Sequence, residues 1–132
     1  MRIVHRLTLF AALATLPAGC GRQEAAPLVS HGRTVAEWAA SLRDRDPKVR
    51  KKAVEALGHA GAADPAAVPA LIGALKDRDA GVRDAAVLAL LHLGATAQEA
   101  VPALEDEARK DPDPKVRDHA SRAVVALRSA KG

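Results

Sequence analysis

Apolar residues recur along this chain with helical spacing, and the whole pattern is itself repeated. Valine-arginine pairs mark the period, because Val49-Arg50, Val82-Arg83 and Val116-Arg117 recur at an almost constant interval. The segment Val68-Pro69-Ala70-Leu71 recurs at the same interval, as Val101-Pro102-Ala103-Leu104. A fixed period of this length is typical of solenoids, in which pairs of helices stack side by side. The pattern therefore predicts three stacked repeats.

Each repeat contains two amphipathic segments. The first has apolar residues at i, i+3, i+4 and i+7, which form one face of a helix; Val68, Leu71, Ile72 and Leu75 show this spacing. The second begins at an aspartate, which can cap the free N–H groups of a helix; the three are Asp46, Asp79 and Asp113. The buried stripe expected of this second helix in the first repeat is Val49, Ala53, Ala56, Leu57 and Ala60.

Further signals mark the ends of the helices. Thr34 and Glu37 have the spacing of a capping box, and Gly61 and Gly94 stand where a left-handed residue commonly ends a helix. The chain of 132 residues has one Trp, one Phe and no Tyr, so its core must be built from Ala, Leu and Val. We therefore expect an all-α solenoid of three two-helix repeats, at about 34–61, 66–94 and 98–129.

The repeated motif Asp-Pro-x-Val-Arg-x-x-Ala-x-x-Ala-Leu-Gly, which begins at Asp46, resembles the HEAT repeat. It is most similar to the short HEAT-like repeat of phycobilisome lyases, and the likeness covers about residues 34–129. The resemblance implies an α-solenoid whose second helices line a concave surface. It also implies two kinds of function: a scaffold or adaptor for other proteins, or a lyase that attaches bilins to carrier proteins.

The resemblance further implies a ladder of polar side chains between neighbouring repeats. Its arginines are Arg50, Arg83 and Arg117, and its aspartates are Asp46, Asp79 and Asp113, with Asp44, Asp77 and Asp111 as the alternative set. A planar guanidinium can donate two parallel hydrogen bonds to a carboxylate, which suits a link between repeats. An anion-binding site is the alternative interpretation of the same arginines.

Positions two, six and nine after the Val of each Val-Arg pair point away from the core of a helix. In a solenoid of this family they would lie on the concave surface. The candidate partner-binding residues at these positions are Lys51, Glu55, Asp84, Leu88, Leu91, Asp118, Arg122 and Val125. Leu88, Leu91 and Val125 would form an apolar strip rimmed by charge, which is typical of a protein-binding surface. Coverage by a second copy of the chain, or by ordinary packing, is the alternative.

The segment before the first repeat, at 1–33, follows a different pattern. Arg2 and Arg6 precede an apolar run at 7–16, and small residues lead from there to Cys20. These are the parts of a secretory signal, and a helix of ten residues spans only about 15 Å, half of a bilayer core. Ala18-Gly19-Cys20 resembles the lipobox of bacterial lipoproteins, with Pro17 where that family usually has Leu.

The lipobox resemblance implies cleavage before Cys20 and attachment of lipid to that cysteine. We therefore expect a signal peptide at 1–19, the lipidated cysteine and a flexible tether at 20–33, and the repeat domain at 34–129. Gly21 implies, by the same resemblance, the periplasmic face of the outer membrane of a bacterial cell envelope. Ordinary signal cleavage, or a cytoplasmic protein behind a misassigned start codon, are the alternatives.

The net charge and the residue types of the chain argue against several classes of function. The net charge is +4, and subtracting Arg2 and Arg6 with the leader leaves +2, with acids and bases interspersed, which does not favour nucleic-acid binding. A single cysteine excludes an internal disulfide. His59, His92 and His119 are not spaced as a zinc site and are interpreted as solvated or capping residues. We find no catalytic motif, and we expect no metal and no cofactor.

These observations predict a membrane-tethered scaffold or adaptor that binds a protein or peptide, and not an enzyme. Two alternatives stay open: an accessory or bilin-lyase-like enzyme subunit, and a purely structural lipoprotein that self-associates.

Overall fold

The structure, a computed structural model, describes residues 29–130. The described elements, in chain order, are β1 (Val29–Ser30), β2 (Arg33–Thr34), α1 (Val35–Ser41), α2 (Pro47–Ala60), α3 (Ala67–Ala74), α4 (Ala80–Leu93), a 3₁₀ helix (Gly94–Ala100), α5 (Val101–Lys110) and α6 (Pro114–Ser129). The predictions for the signal peptide at 1–19 and for Cys20 fall outside this range.

The helices form three consecutive pairs, α1 with α2, α3 with α4, and α5 with α6. The second helices of the pairs also pack in series, α2 against α4 and α4 against α6. One continuous apolar core runs through the stack, with Leu57, Leu71, Leu90, Leu104 and Leu127 fully buried. Burial of each such leucine contributes about 1.5–3 kcal/mol. The predicted all-α solenoid of three helix pairs is confirmed.

Each second helix is preceded by the predicted aspartate, which caps its N-terminus. The side chains of Asp46 and Asp113 accept hydrogen bonds from the backbone N–H groups of Lys48 and Lys115, and that of Asp79 from Val82. These bonds satisfy N–H groups that have no partner within the helix, and each is worth about 1 kcal/mol. The capping box at the start of α1 is present as well, with Thr34 and Glu37 bonding each other's backbone N–H groups.

A short β-hairpin precedes the first repeat. Val29 pairs with Thr34 and Ser30 with Arg33 in antiparallel register, and the turn has positive φ at His31 (53°) and Gly32 (74°). The Arg33 guanidinium lies 4.4 Å from the centre of the Trp38 ring, a cation–π contact that holds β2 against α1. The last residues of the predicted tether at 20–33 therefore belong to this hairpin and not to a flexible segment.

Two further expectations are corrected by the packing. Val49 is 36% exposed although it belongs to the predicted core stripe, because within residues 29–130 no helix pair precedes α1 and α2 for it to pack against. Gly61 has φ −63° and is not left-handed. A Cβ at Gly61 would lie 2.8 Å from Cδ1 of Leu93, so a larger residue here would require the Leu93 side chain to shift. Gly94 does have positive φ, 54°.

By length and composition alone, the helical stretch Ala80–Lys110 is apolar enough to cross a membrane. The stretch is interrupted at Gly94, where the backbone leaves the helical region, and by the non-helical dihedrals of Ala97. Its large residues Val87, Leu90 and Leu104 are fully buried against the neighbouring repeats. These features are those of core helices in the stack.

Candidate functional site: the groove between α2 and α4

A groove of about 360 Å³ runs between α2 and α4 on the face that the second helices present. Four of the predicted partner-binding residues line it, namely Lys51, Glu55, Asp84 and Leu88. The other four, Leu91, Asp118, Arg122 and Val125, do not. The sequence-predicted surface is therefore divided, and its half between the first and second repeats lines this groove.

The apolar side chains that line the groove, Ala85, Leu88 and Ala89 of α4, are called its floor. Leu88 is 44% exposed, and Gly58 and Gly81 contribute no side chain to the lining. At Gly58 the two helices approach so closely that an added Cβ would lie 2.9 Å from Cβ of Ala89. An exposed leucine in such a lining can be covered by an apolar side chain of a partner.

The rim of the groove is polar. Lys51 and Glu55 are exposed on α2, and among residues 29–130 neither side chain makes an ion pair. Lys115 reaches in from α6, and His59 and His92 close the end near the helix C-termini. The two histidines were not predicted to be partner-binding residues, although their separation by one period places them on adjacent helices of the same face.

Asp84 differs from the prediction, because it is buried and already paired. Its carboxylate lies 2.6 Å from Nδ1 of His119 and 2.8 Å from Nζ of Lys115. Burial raises the pKa of Asp84, but the hydrogen bonds from Lys115 and His119 outweigh it and hold the pKa below its ordinary value of 3.8. Asp84 therefore fixes α6 against α4 at the wall of the groove. His119, interpreted from the sequence as solvated or capping, is one of its two partners.

The remaining candidates lie farther along the stack. Asp118 and Arg122 form an exposed pair on α6, with 2.9 Å between carboxylate and guanidinium. Val125 is 67% exposed on the same helix. Leu91 is half-buried and packs against the core. The three apolar side chains thus do not form one continuous exposed strip.

The arginines join each repeat to the next. Arg50 donates from Nε and Nη2 to the two carboxylate oxygens of Asp77, at 2.7 and 2.9 Å. Arg83 donates in the same way to Asp111, at 2.7 and 3.0 Å. The acceptors Asp77 and Asp111 are each the first aspartate of a turn. The second aspartates, Asp46, Asp79 and Asp113, cap their own helices. The assignment of these second aspartates to the ladder is therefore corrected.

The carboxylates of the ladder are held in their charged form. Burial raises the pKa of Asp77, but hydrogen bonds from Arg50 and from the backbone N–H of Asp79 bring it below 3.8. The Arg83 guanidinium lowers the pKa of Asp111 against the opposing effect of burial. Both pairs lie largely out of water, where removal of one partner leaves an uncompensated charge. The ladder fixes the spacing of the repeats and hence the position of the groove.

No set of three or more His, Cys, Asp or Glu side chains within the described part of the chain is arranged to hold a metal ion. A family model for HEAT repeats matches residues 35–125, which span all three helix pairs. The chain belongs to the HEAT repeat family. A comparison with curated proteins found no match. HEAT repeats are helical scaffolds that typically mediate protein interactions, which fits a groove with an apolar floor and a polar rim.

Proposed function

We propose that this HEAT repeat protein is a membrane-tethered, non-enzymatic scaffold that holds a protein or peptide in the groove between α2 and α4. The exposure of Leu88 carries the proposal. Most large apolar side chains of α2 and α4 are buried, whereas Leu88 is 44% exposed and lines a concavity. Burial of an apolar partner side chain against it would remove this surface from water.

The rim supports the same assignment. Lys51 and Glu55 lie one helical turn apart beside Leu88 and carry opposite charges without an ion pair among the described residues. A bound peptide that carries an acid and a base can satisfy both, which would orient it in the groove. The open groove, floored by one leucine and by alanines, suits a peptide better than a bilin, so we favour the scaffold over the lyase-like alternative.

Crosslinking in cells tests the groove. A photoreactive amino acid in place of Glu55 is expected to crosslink a partner, and the same amino acid in place of Arg109, which is exposed on α5 and outside the groove, is not. Leu88→Asp should abolish the crosslink at Glu55. Val125→Asp is the matched control, because it places the same charge at a more exposed apolar position outside the groove. Loss of the crosslink in both variants, or in neither, would refute the proposal.

The tether is tested separately. We propose that Cys20 carries lipid and anchors the protein at the periplasmic face of the outer membrane. Wild-type protein should incorporate a labelled fatty acid and sediment with outer-membrane vesicles. Cys20→Ser should lose both properties while it keeps the circular dichroism spectrum of a helical protein. Incorporation of the label by the serine variant would contradict this part of the proposal.

A further inference from the structure

The arginine ladder has one open end at the last repeat. Arg50 and Arg83 each bind a carboxylate of the following repeat through Nε and Nη2. Arg117 occupies the same position in the third repeat, and it donates only from Nη1, to the carbonyl oxygens of Asp111 (2.7 Å) and Pro112 (3.2 Å). Among residues 29–130, the two nitrogen atoms that face the next repeat therefore have no carboxylate partner.

The other open end lies at the first repeat. Asp44 stands one period before Asp77 and makes the same local bond, accepting the backbone N–H of Asp46 at 2.8 Å. Within the described part of the chain, no arginine side chain pairs with the Asp44 carboxylate. Val49 lies near it in the first turn of α2 and is 36% exposed, whereas its counterparts Val82 and Val116 are each 1% exposed.

We propose that a second copy of this chain closes the ladder, with Arg117 of one copy donating to Asp44 of the next. Both halves of the bond are already present on the chain, and the chain itself makes this bond twice between its own repeats. The flanking charges do not oppose it, because Asp44 lies between Arg43 and Arg45 just as Asp77 lies between Lys76 and Arg78. The contact joins two different surfaces, so it produces head-to-tail assemblies rather than a symmetric dimer.

Two features keep the association weak. The hairpin strand β1 packs on α2. Ala89 faces the preceding repeat at Gly58, and its counterpart in the first repeat, Ala56, is also buried. The hairpin therefore covers the part of the end face of the stack around Ala56. On α6, an exposed Ser121 replaces the fully buried Val54 and Val87 of the other repeats. The contact is therefore confined to the corner that carries Asp44 and Val49. A small contact of this kind is expected to form at high local concentration.

Charge exchange tests the contact by sedimentation velocity over a range of protein concentrations. All chains carry Cys20→Ser, so association through the leader is common to every sample. The unexchanged chain should show a weight-average mass that rises with concentration. Asp44→Arg and Arg117→Asp should each lower the association constant at least tenfold, and the double variant, which exchanges the two charges, should recover it to within about threefold of the unexchanged chain.

Matched variants in the groove separate this proposal from the scaffold function. Glu55→Arg and Lys51→Asp introduce the same charges on α2 and should leave the association constant unchanged, and Lys51→Asp should in addition weaken the crosslink formed through the photoreactive residue at position 55. If Arg117→Asp loses helicity, Arg117→Gln replaces it, with at least a tenfold loss expected. A chain that stays monomeric at every concentration, or a double variant no better than the single ones, overturns the proposal and leaves the groove untouched.

Discussion

Because α2 and α4 approach closely at Gly58, the residue at position 89 should decide whether Gly58→Ala raises or lowers the free energy of unfolding. An ideal Cβ built at Gly58 lies 2.9 Å from Cβ of Ala89 and 3.6 Å from its Cα. The shorter distance is below the closest approach of two carbon atoms that are not bonded to each other, so α2 and α4 must move apart when Gly58 is replaced by alanine. The longer contact is an ordinary one and would remain acceptable.

Two opposing effects set the magnitude. Replacing a glycine inside a helix by alanine stabilises the helix by about 1 kcal/mol. Forcing an extra methyl group into a packed interface costs about 1–3 kcal/mol. Gly58→Ala alone should therefore lower the free energy of unfolding by about 0–2 kcal/mol. In an Ala89→Gly background the clashing methyl group is gone, so the same substitution should raise the free energy of unfolding by about 1 kcal/mol.

Urea unfolding followed by far-ultraviolet circular dichroism measures all four chains of this double-mutant cycle. The expected coupling between the two positions is about 1–3 kcal/mol. Additive effects of the two substitutions, or a Gly58→Ala chain about 1 kcal/mol more stable than the wild type, would show that the helices are not in contact here. That result would also remove the geometric basis of the groove, since its two walls are these helices.

Three further outcomes are expected from the same unfolding assay. Asp111→Ala should cost about 3 kcal/mol, because it leaves the buried Arg83 guanidinium without its carboxylate, whereas Asp113→Ala, which removes only a helix cap, should cost about 1 kcal/mol; equal costs would contradict the roles assigned to the two aspartates. Thr34→Ala should cost about 1 kcal/mol through loss of the capping box, and no change would argue against it. The pKa of Asp84 in the folded protein lies below its ordinary 3.8, so the contribution of its ion pairs to the free energy of unfolding is intact above pH 3.8 and is lost as the pH falls through the lowered pKa. The urea midpoint should therefore decrease as the pH falls below 3.8, and Asp84→Asn should make this decrease smaller.

The repeat period predicts most of the fold, because each repeat buries equivalent positions against its neighbour. Val82 and Val116 are buried as the pattern requires. The prediction fails for Val49, since a repeated pattern does not show that the first helix pair of the described residues has another pair on one side only. It also misses the hairpin that begins at Val29, because two paired residues on each strand are too few to give an alternating pattern.

The candidate site is predicted less well than the fold. Counting positions along a helix places Leu88 and Glu55 on the correct face, but it cannot show which gaps between helices are open. The counting also places Asp84 at the surface, although Lys115 and His119 of the following repeat enclose it. Such pairings depend on the distance between helices, which small residues such as Gly58 determine and which a single sequence does not display.

The Asp77 carboxylate binds Arg50 of the preceding repeat and also the backbone N–H of Asp79, two residues ahead in its own turn. The same carboxylate therefore shapes a local loop and joins two repeats. When the first repeat opens, the turn of the second loses the guanidinium that holds its aspartate in place. Partial unfolding at one end of the stack should spread through these shared carboxylates, so this short solenoid is expected to lose its structure in a single cooperative transition.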